Sequence, residues 1–437
     1  MILEIYIDGF RFFKKDTMLS FSADARTKRL LSNAIFVDGK YVNKCVGIYG
    51  SNNSGKSNLI KLFSILKAVL SGSENFVINR AIFCDQPLTS ISITYNNLDG
   101  KGWLKYDFTY DYTEKRFVRE KLSSLTYYPN GKPFEKTLFE KDFQNKIFEV
   151  FGSSKVEYLG IIRGNLPLFY VVELESGIFS TLKEYKESFQ QLASSIEVVN
   201  MFNIPISKTI DLLKRDHQEK KDFILSFVKH ADLSVSDFKY DKADMKYDVD
   251  GEKIDEKALE GFEDLVDSIH LKTRYGNVDV PSLFFDSSGT KKIEAVAAYI
   301  YEAIKEGKIL VIDELDNGLH YKLTRAIVSL FNNLLNKKGQ LVFTAHDLLL
   351  IDCNYLMRKD QIYFTQRDKK CASLFCLKEA TVASGGPREG TDLIKRYNRG
   401  DFVEVPSPSF IEQIIKIVEA EGENANKLDM IITRMQG

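Results

Sequence analysis

The sequence predicts an α/β fold in which antiparallel and parallel sheets are joined through an inserted helical region. Three observations carry this. A strand, a glycine-rich loop and a helix follow one another over residues 45–71; alternating strands with tight turns run on to residue 128; strands alternating with helices return after residue 233.

Composition limits the function classes. With 437 residues, 44% hydrophobic and 28% charged, the chain reads as globular with room for about two or three domains. A formal net charge of −1 gives the whole molecule no positive field toward nucleic acid, so any such contact needs a local basic patch. The five cysteines (Cys45, Cys84, Cys353, Cys371 and Cys376) make neither a CxxC pair nor a zinc spacing, which fits reduced thiols in a cytoplasmic protein. "MILEIYIDGFRFF" lacks the basic start and apolar block of a secretion leader, and no stretch approaches the ~20 apolar residues of a membrane span.

In chain order, "LEIYI", "MLSFSA" and "KCVGIYG" read as strands, and residues 58–71 as a helix with Leu59, Phe63, Leu66 and Leu70 on its apolar face. "LTSISITYNN", "GWLKYDFTYDY" and "RFVREKLSSLTYY", parted by turn signals, predict an antiparallel meander. Residues 129–232 change character, with helical patterns in "STLKEYKESFQQLASSIEVV" and "SKTIDLLKRDHQEKKDFILSFVKH"; the mixed signs of "KRDHQEKK" read as a solvated helix face. Strands return in "VSDFKYD", "IHLKTRYG" and "VPSLFFD". Then come a helix over 290–305, a buried strand "KILVIDEL", a helix over about 321–336, and the strands "GQLVFTAH" and "DQIYFTQ". The organisation is therefore a lobe at 1–128, a helical insertion at 129–232, a second lobe at 233–380 and a tail with a helix at 381–437.

"GIYGSNNSGKSNLIKLF" raises the functional question. Gly50, Gly55, Lys56 and Ser57 fit the phosphate-loop spacing, in which glycines let backbone N–H groups close on a polyphosphate at a helix N-terminus. Lys56 would aim its ammonium at the phosphates and Ser57 would offer its hydroxyl to Mg²⁺. The alternative is a small-residue turn that merely leads into a helix. "KILVIDELDNGLH" adds Asp313 and Glu314 at the end of a continuous apolar strand, where two adjacent carboxylates are costly unless water or a cation holds them. Asp313 would hold Mg²⁺ and Glu314 would orient or deprotonate an attacking water. His346 in "QLVFTAHD" ends the next strand, where an imidazole can reach a γ-phosphate or simply face solvent. In "FFDSSGTKKIEAVAAYI", Ser287, Ser288 and Gly289 begin a helix that could face a phosphate, including one held by another subunit, or could merely be capped.

Taken in order, "GSNNSGKSN", "SSGTKK", "LVIDELDNGLH", "FTAHD" and "RKDQIYF" resemble the ABC-type ATPases of the SMC and OLD branch. The resemblance is greatest to standalone bacterial AAA-family proteins that accompany anti-phage defence effectors, the AriA and RloA type. It covers roughly residues 1–125 and 230–405. It implies an ABC-type P-loop ATPase head that dimerises head to head, or forms a higher homo-oligomer, around ATP and Mg²⁺. By position, Gly50, Asn52, Asn53, Ser54, Gly55, Lys56, Ser57 and Asn58 would form the nucleotide loop, with Ser57 and Asp313 at the metal. Lys56, Glu314 and His346 would be catalytic, Arg11 would lie near the nucleotide, Ser288 and Gly289 would contact it across the dimer, and Asp316 would be the D-loop residue of the nucleotide site. The signature departs from the family pattern, being SSGT rather than LSGG, and Gln86 is the one candidate for the Q-loop. The resemblance further implies a separate effector protein under antiviral control, with a nuclease among the candidates; a DNA-binding repair or recombination ATPase is the alternative. "VEAEGENANKLD" resembles the start of a TOPRIM domain, but without a downstream DxD a charged terminal helix is expected there.

Overall fold

A computed structural model describes residues 1–14, 16–74, 76–78, 80–82, 87–97, 102–128, 133–160, 164–171, 182–215, 218–241, 248–249, 252–253, 263–380, 392–402 and 414–418. Two sheets dominate it. The alternation in "LEIYI" makes the strand Ile2–Asp8, which pairs antiparallel with Thr17–Ser20 on one side and Leu88–Asn96 on the other. Trp103–Asp111 and Arg116–Tyr127 continue the meander.

The meander does not stop at residue 128. Pro133–Asp142, Ile147–Val150 and Ser153–Ser154 extend it to an eight-stranded sheet, so the expected helical insertion at 129–232 begins as sheet. Charge concealed this in the sequence: Lys141 points into the core and pairs with Glu120, and neither side chain is exposed at all. Glu120 also accepts from the Tyr106 hydroxyl at 2.7 Å and the Leu168 N–H at 2.9 Å, which meets the demand that a buried charge be paired and hydrogen-bonded.

The second sheet has six strands in the spatial order Ile196–Asn200, Ile309–Asp313, Gln340–Thr344, Cys45–Tyr49, Ile362–Arg367 and Ala372–Cys376. The first five run parallel and the last is antiparallel. Its first strand corrects the sequence reading, which placed "SIEVV" in a helix. That helix ends at Ser195, and the β-branched Ile196, Val198 and Val199 go into a strand beside Ile309–Asp313. The 129–232 segment thus contributes to both sheets, and among its described residues the helices are Lys183–Ser195, Ser207–Lys214 and Gln218–Ala231, with short turns at Val156–Tyr158 and Leu168–Val171. "VPSLFFD" also divides: the strand ends at Pro281, which has no N–H to donate, and Ser282–Phe285 forms a helical turn. The helix expected over 321–336 ends at Phe331.

The helix Lys56–Ser71 lies between the sheets. Leu59, Phe63, Leu66 and Leu70 share one core with Ile5 and Ile93 of the antiparallel sheet and with Val311 and Val342 of the parallel one. Each such side chain contributes roughly 1.5–3 kcal/mol by burial. Ile327, Val328 and Phe331 cover the opposite face of the parallel sheet, against Leu310, Ile312 and Phe343. With both faces covered, the parallel strands can be continuously apolar, as "KILVI" and "QLVF" are. Their carboxyl ends all reach one edge, the place where ligands gather in open α/β sheets. Among the described residues no helix is long and apolar enough to cross a membrane.

Candidate functional site

The edge is assembled by register. Asn200 stands opposite Asp313, Thr344 opposite Ile48 and Phe364 opposite Tyr49, so Asn200, Asp313 and Thr344 end three neighbouring strands beside the loop strand Cys45–Tyr49, and Gly50 and Thr365 follow just beyond them. After Tyr49 the chain leaves the sheet at Gly50 (φ 155°) and turns through Asn53 (φ 61°) and Gly55 (φ 112°) into the Lys56 helix. Gly50 has no substitute here. A Cβ would come within 2.4 Å of the Thr365 carbonyl oxygen and 2.7 Å of Ser54 Oγ, on top of an unfavourable φ.

Lys56 is 7% exposed and donates to the carbonyls of Gly50 at 2.8 Å and Ser51 at 3.0 Å. Burial holds its ammonium below the ordinary lysine pKa, while the negative charges of Asp313, Glu314 and Asp316 act in the opposite direction. The loop lysine and the carboxylate pair, about 260 residues apart in sequence, therefore lie within one electrostatic neighbourhood. Asn52, Asn53 and Ser57 are exposed on the loop, whereas Ser54 is buried against Thr365 with their hydroxyls 2.6 Å apart.

The carboxylates are oriented by residues that the sequence reading did not single out. Thr344 donates to Asp313 Oδ1 at 2.6 Å and accepts from the Glu314 N–H at 2.8 Å, and Asn200 donates to Asp313 Oδ2 at 3.3 Å. Glu314 has a left-handed backbone (φ 57°), and its Oε2 accepts from Asn317 Nδ2 at 2.9 Å. The positions of Thr344 and Thr365, at the ends of apolar strands beside the loop strand, were the signal for both.

Asp316 lies on the loop after the carboxylate pair. Its Oδ2 accepts from the backbone N–H groups of His346 at 2.9 Å and Asp347 at 2.7 Å, so it braces the His346 turn within its own chain. The His346 side chain is left exposed. Arg11, also left-handed (φ 53°), reaches Asn58 Oδ1 at 3.4 Å. Arg367, which the sequence reading did not include, donates to Asn53 Oδ1 at 3.0 Å and lies 3.7 Å above the Phe12 ring, giving the loop tip a second cation. Gln86 lies outside the described residues, as does Cys84; the four described cysteines are free.

The 19-residue helix Ser288–Glu306 has the expected cap. Ser287 caps it by accepting from the Thr290 N–H at 3.1 Å, and Thr290 Oγ1 donates to Asp232 at 2.6 Å. Ser288 is exposed and Gly289 half-buried, so the first helical turn remains accessible. Lys292, one turn on, donates to the Asn317 side-chain oxygen and joins this helix to the Glu314 loop.

A family described as "AAA domain, putative AbiEii toxin, Type IV TA system" matches residues 45–352. Among curated protein sequences none matches this chain. Solved structures similar to it include the SMC head domain from Thermotoga maritima, at 12% identity and TM-score 0.39, covering 86% of this chain and 98% of that one. An SmcHead bound to the C-winged helix domain of ScpA aligns at 13% identity and TM-score 0.43, covering 87% and 99%. A Smc head domain with an extended coiled coil, bound to the C-terminal domain of ScpA derived from Pyrococcus furiosus, aligns at 14% identity and TM-score 0.38, covering 87% and 97%.

Proposed function

The chain belongs to that family of AAA domains, and on this premise we propose that it binds and hydrolyses ATP between two copies of itself and uses the cycle to control a separate effector protein. The observation that carries the proposal is Lys56 held by two loop carbonyls within the field of Asp313 and Glu314. An ammonium so placed exchanges its carbonyl contacts for phosphate oxygens when a triphosphate enters, and the first-turn amides of the Lys56 helix add to the attraction.

Ser57 and Asp313 offer the hard oxygen donors that Mg²⁺ takes. Among the described residues no three His, Cys, Asp or Glu side chains could hold a metal by themselves, so phosphate and water oxygens would complete its shell. When bound, Mg²⁺ supplies neutralisation of the phosphate charge. Glu314 then takes the proton of the attacking water, with Asn317 fixing one of its oxygens. His346, whose backbone is braced by Asp316 and whose side chain is exposed, is the residue this reading assigns to the γ-phosphate. Ser288 and Gly289 of a second copy close the site, and Lys292 ties that copy's signature helix to its own Glu314 loop. Because closure depends on the γ-phosphate, ATP and ADP differ in affinity for the closed dimer, and that difference is the switch.

A defence role with a paired effector is supported by the motif resemblance and by the family's description, which speaks of a toxin and a toxin–antitoxin system. The test is a pull-down of the tagged full chain, wild type and Glu314→Gln, followed by mass spectrometry and nucleic-acid analysis. A stoichiometric partner protein, enriched in the variant, is the expected result. Duplex DNA retained with ATP and no protein partner, weakening steeply with salt, would replace this proposal with a DNA-repair role.

A further inference from the structure

We propose, resting on the phosphate-loop reading above, that Arg367 is a nucleobase-binding residue: its guanidinium, laid on the Phe12 ring, is the flat platform against which the base of the loop's nucleotide stacks.

Sheet order gives the direction in which the nucleotide must lie. The loop strand Cys45–Tyr49 has Gln340–Thr344 and then Ile309–Asp313 on one side, and Ile362–Arg367 on the other. Under that reading the metal end of the triphosphate lies toward Asp313, so ribose and base leave the loop toward the opposite side. Phe364 stands opposite Tyr49, which brings Thr365 level with Gly50 and sets Arg367 roughly 7 Å farther on in the strand direction.

That side of the loop is closely built. A Cβ on Gly55 would meet Phe13 at 3.1 Å and Ala372 at 3.3 Å, so the turn after the strand Ile2–Asp8 and the hairpin between Arg367 and Ala372 both flank the loop. The two are tied together by the Ala372 N–H, which donates to the Phe12 carbonyl at 2.8 Å.

Arg367 is fixed on this wall without being neutralised. It lies 3.7 Å from the centre of the Phe12 ring, a stacking distance, and donates to Asn53 Oδ1 at 3.0 Å. Neither partner carries a charge. Asp368, the adjacent carboxylate, accepts instead from the N–H groups of Lys370 at 2.7 Å and Cys371 at 2.5 Å. Phe12 covers one face of the guanidinium, while the residue as a whole is only half-buried. A planar cation backed by an aromatic ring takes a second flat π system on its other face, and a nucleobase offers one. The phosphates have Lys56 and the first-turn amides on the loop itself, whereas Arg367 stands beyond Asn53 at the loop tip.

The test compares a nucleotide with its phosphates alone. The full chain is titrated calorimetrically, in the presence of Mg²⁺, with ATP or with inorganic tripolyphosphate. Arg367→Ala should weaken ATP binding by about fivefold and leave tripolyphosphate at its wild-type affinity, which also shows that the loop is intact. Arg367→Lys keeps the charge but not the flat face, and should weaken ATP as the alanine does. Equal losses for the two ligands would make Arg367 a phosphate contact or a brace for Asn53 and overturn the inference; so would undiminished ATP binding in Arg367→Ala or in Arg367→Lys. A wild-type chain that binds neither ligand, or that binds both equally well after Lys56→Ala, would instead remove the phosphate-loop reading on which the role of Arg367 depends.

Discussion

Glu314 sits in left-handed backbone at φ 57°, a conformation that costs a residue with a Cβ on the order of 1–3 kcal/mol and persists where surrounding contacts impose it. Those contacts are the Thr344 hydroxyl on its N–H and the Asn317 amide on its carboxylate. Glu314→Gln preserves the shape and removes the proposed base. It should bind ATP as the wild type does, turn it over at least 100-fold more slowly, and accumulate the closed dimer, by the general loss expected for an acid–base group; single-turnover hydrolysis measures this, and normal turnover would remove the assignment. Lys56→Ala should abolish ATP binding in equilibrium dialysis. A third residue bears on stability. Glu294 is buried on the signature helix, and desolvation, then the neighbouring Asp286, push its pKa well above the ordinary glutamate value against the hydrogen bonds from Ser282 and Thr273. The folded state thus keeps a proton that the unfolded chain releases. Stability is full below the unfolded value and falls as pH rises from there through the folded one. Glu294→Gln should flatten that slope in urea unfolding at pH 5 and pH 8, and an unchanged slope would count against a protonated Glu294.

At the scale of elements, the Lys141–Glu120 pair shows what buried charge does to a sheet. Lys141→Met leaves Glu120 buried with the Tyr106 hydroxyl and the Leu168 N–H but no counter-ion, and should cost about 3–5 kcal/mol in chemical unfolding. Restoring neutrality with Glu120→Gln in the same chain should recover much of the loss. The same pair explains what was legible. Strands with clean alternation (Ile2–Asp8, Leu88–Asn96, Trp103–Asp111) and apolar strands bounded by loops (Cys45–Tyr49, Ile309–Asp313, Gln340–Thr344) were evident from pattern alone. Pro133–Asp142 was not, because its core-facing positions include a lysine whose partner lies on another strand. Ile196–Asn200 was absorbed into the helix before it, since five residues are too few to show a period and only the neighbouring strand decides the outcome. In the site, the motif residues were legible because their chemistry is local. Thr344, Thr365, Asn200 and Arg367 were not, because each acts through a partner that only sheet register brings near.

For the molecule as a whole, one chain supplies the loop, the carboxylates and the histidine on one sheet edge, while Ser288 and Gly289 stand at the open start of a separate helix. Under the proposed function a second copy covers the nucleotide. Sedimentation velocity should find the Glu314→Gln chain as a dimer with Mg²⁺ and ATP, and the addition of Ser288→Arg, which places bulk and charge on the accessible turn, should return it to monomer without impairing ATP binding. The most direct measurement is an experimental structure of the Glu314→Gln chain with Mg²⁺ and ATP. It should show the triphosphate beneath Lys56, the metal between Ser57 and Asp313, and Ser288 of a second copy against the γ-phosphate; a nucleotide bound elsewhere, or bound to this loop with Asp313 turned away from it, would contradict the account.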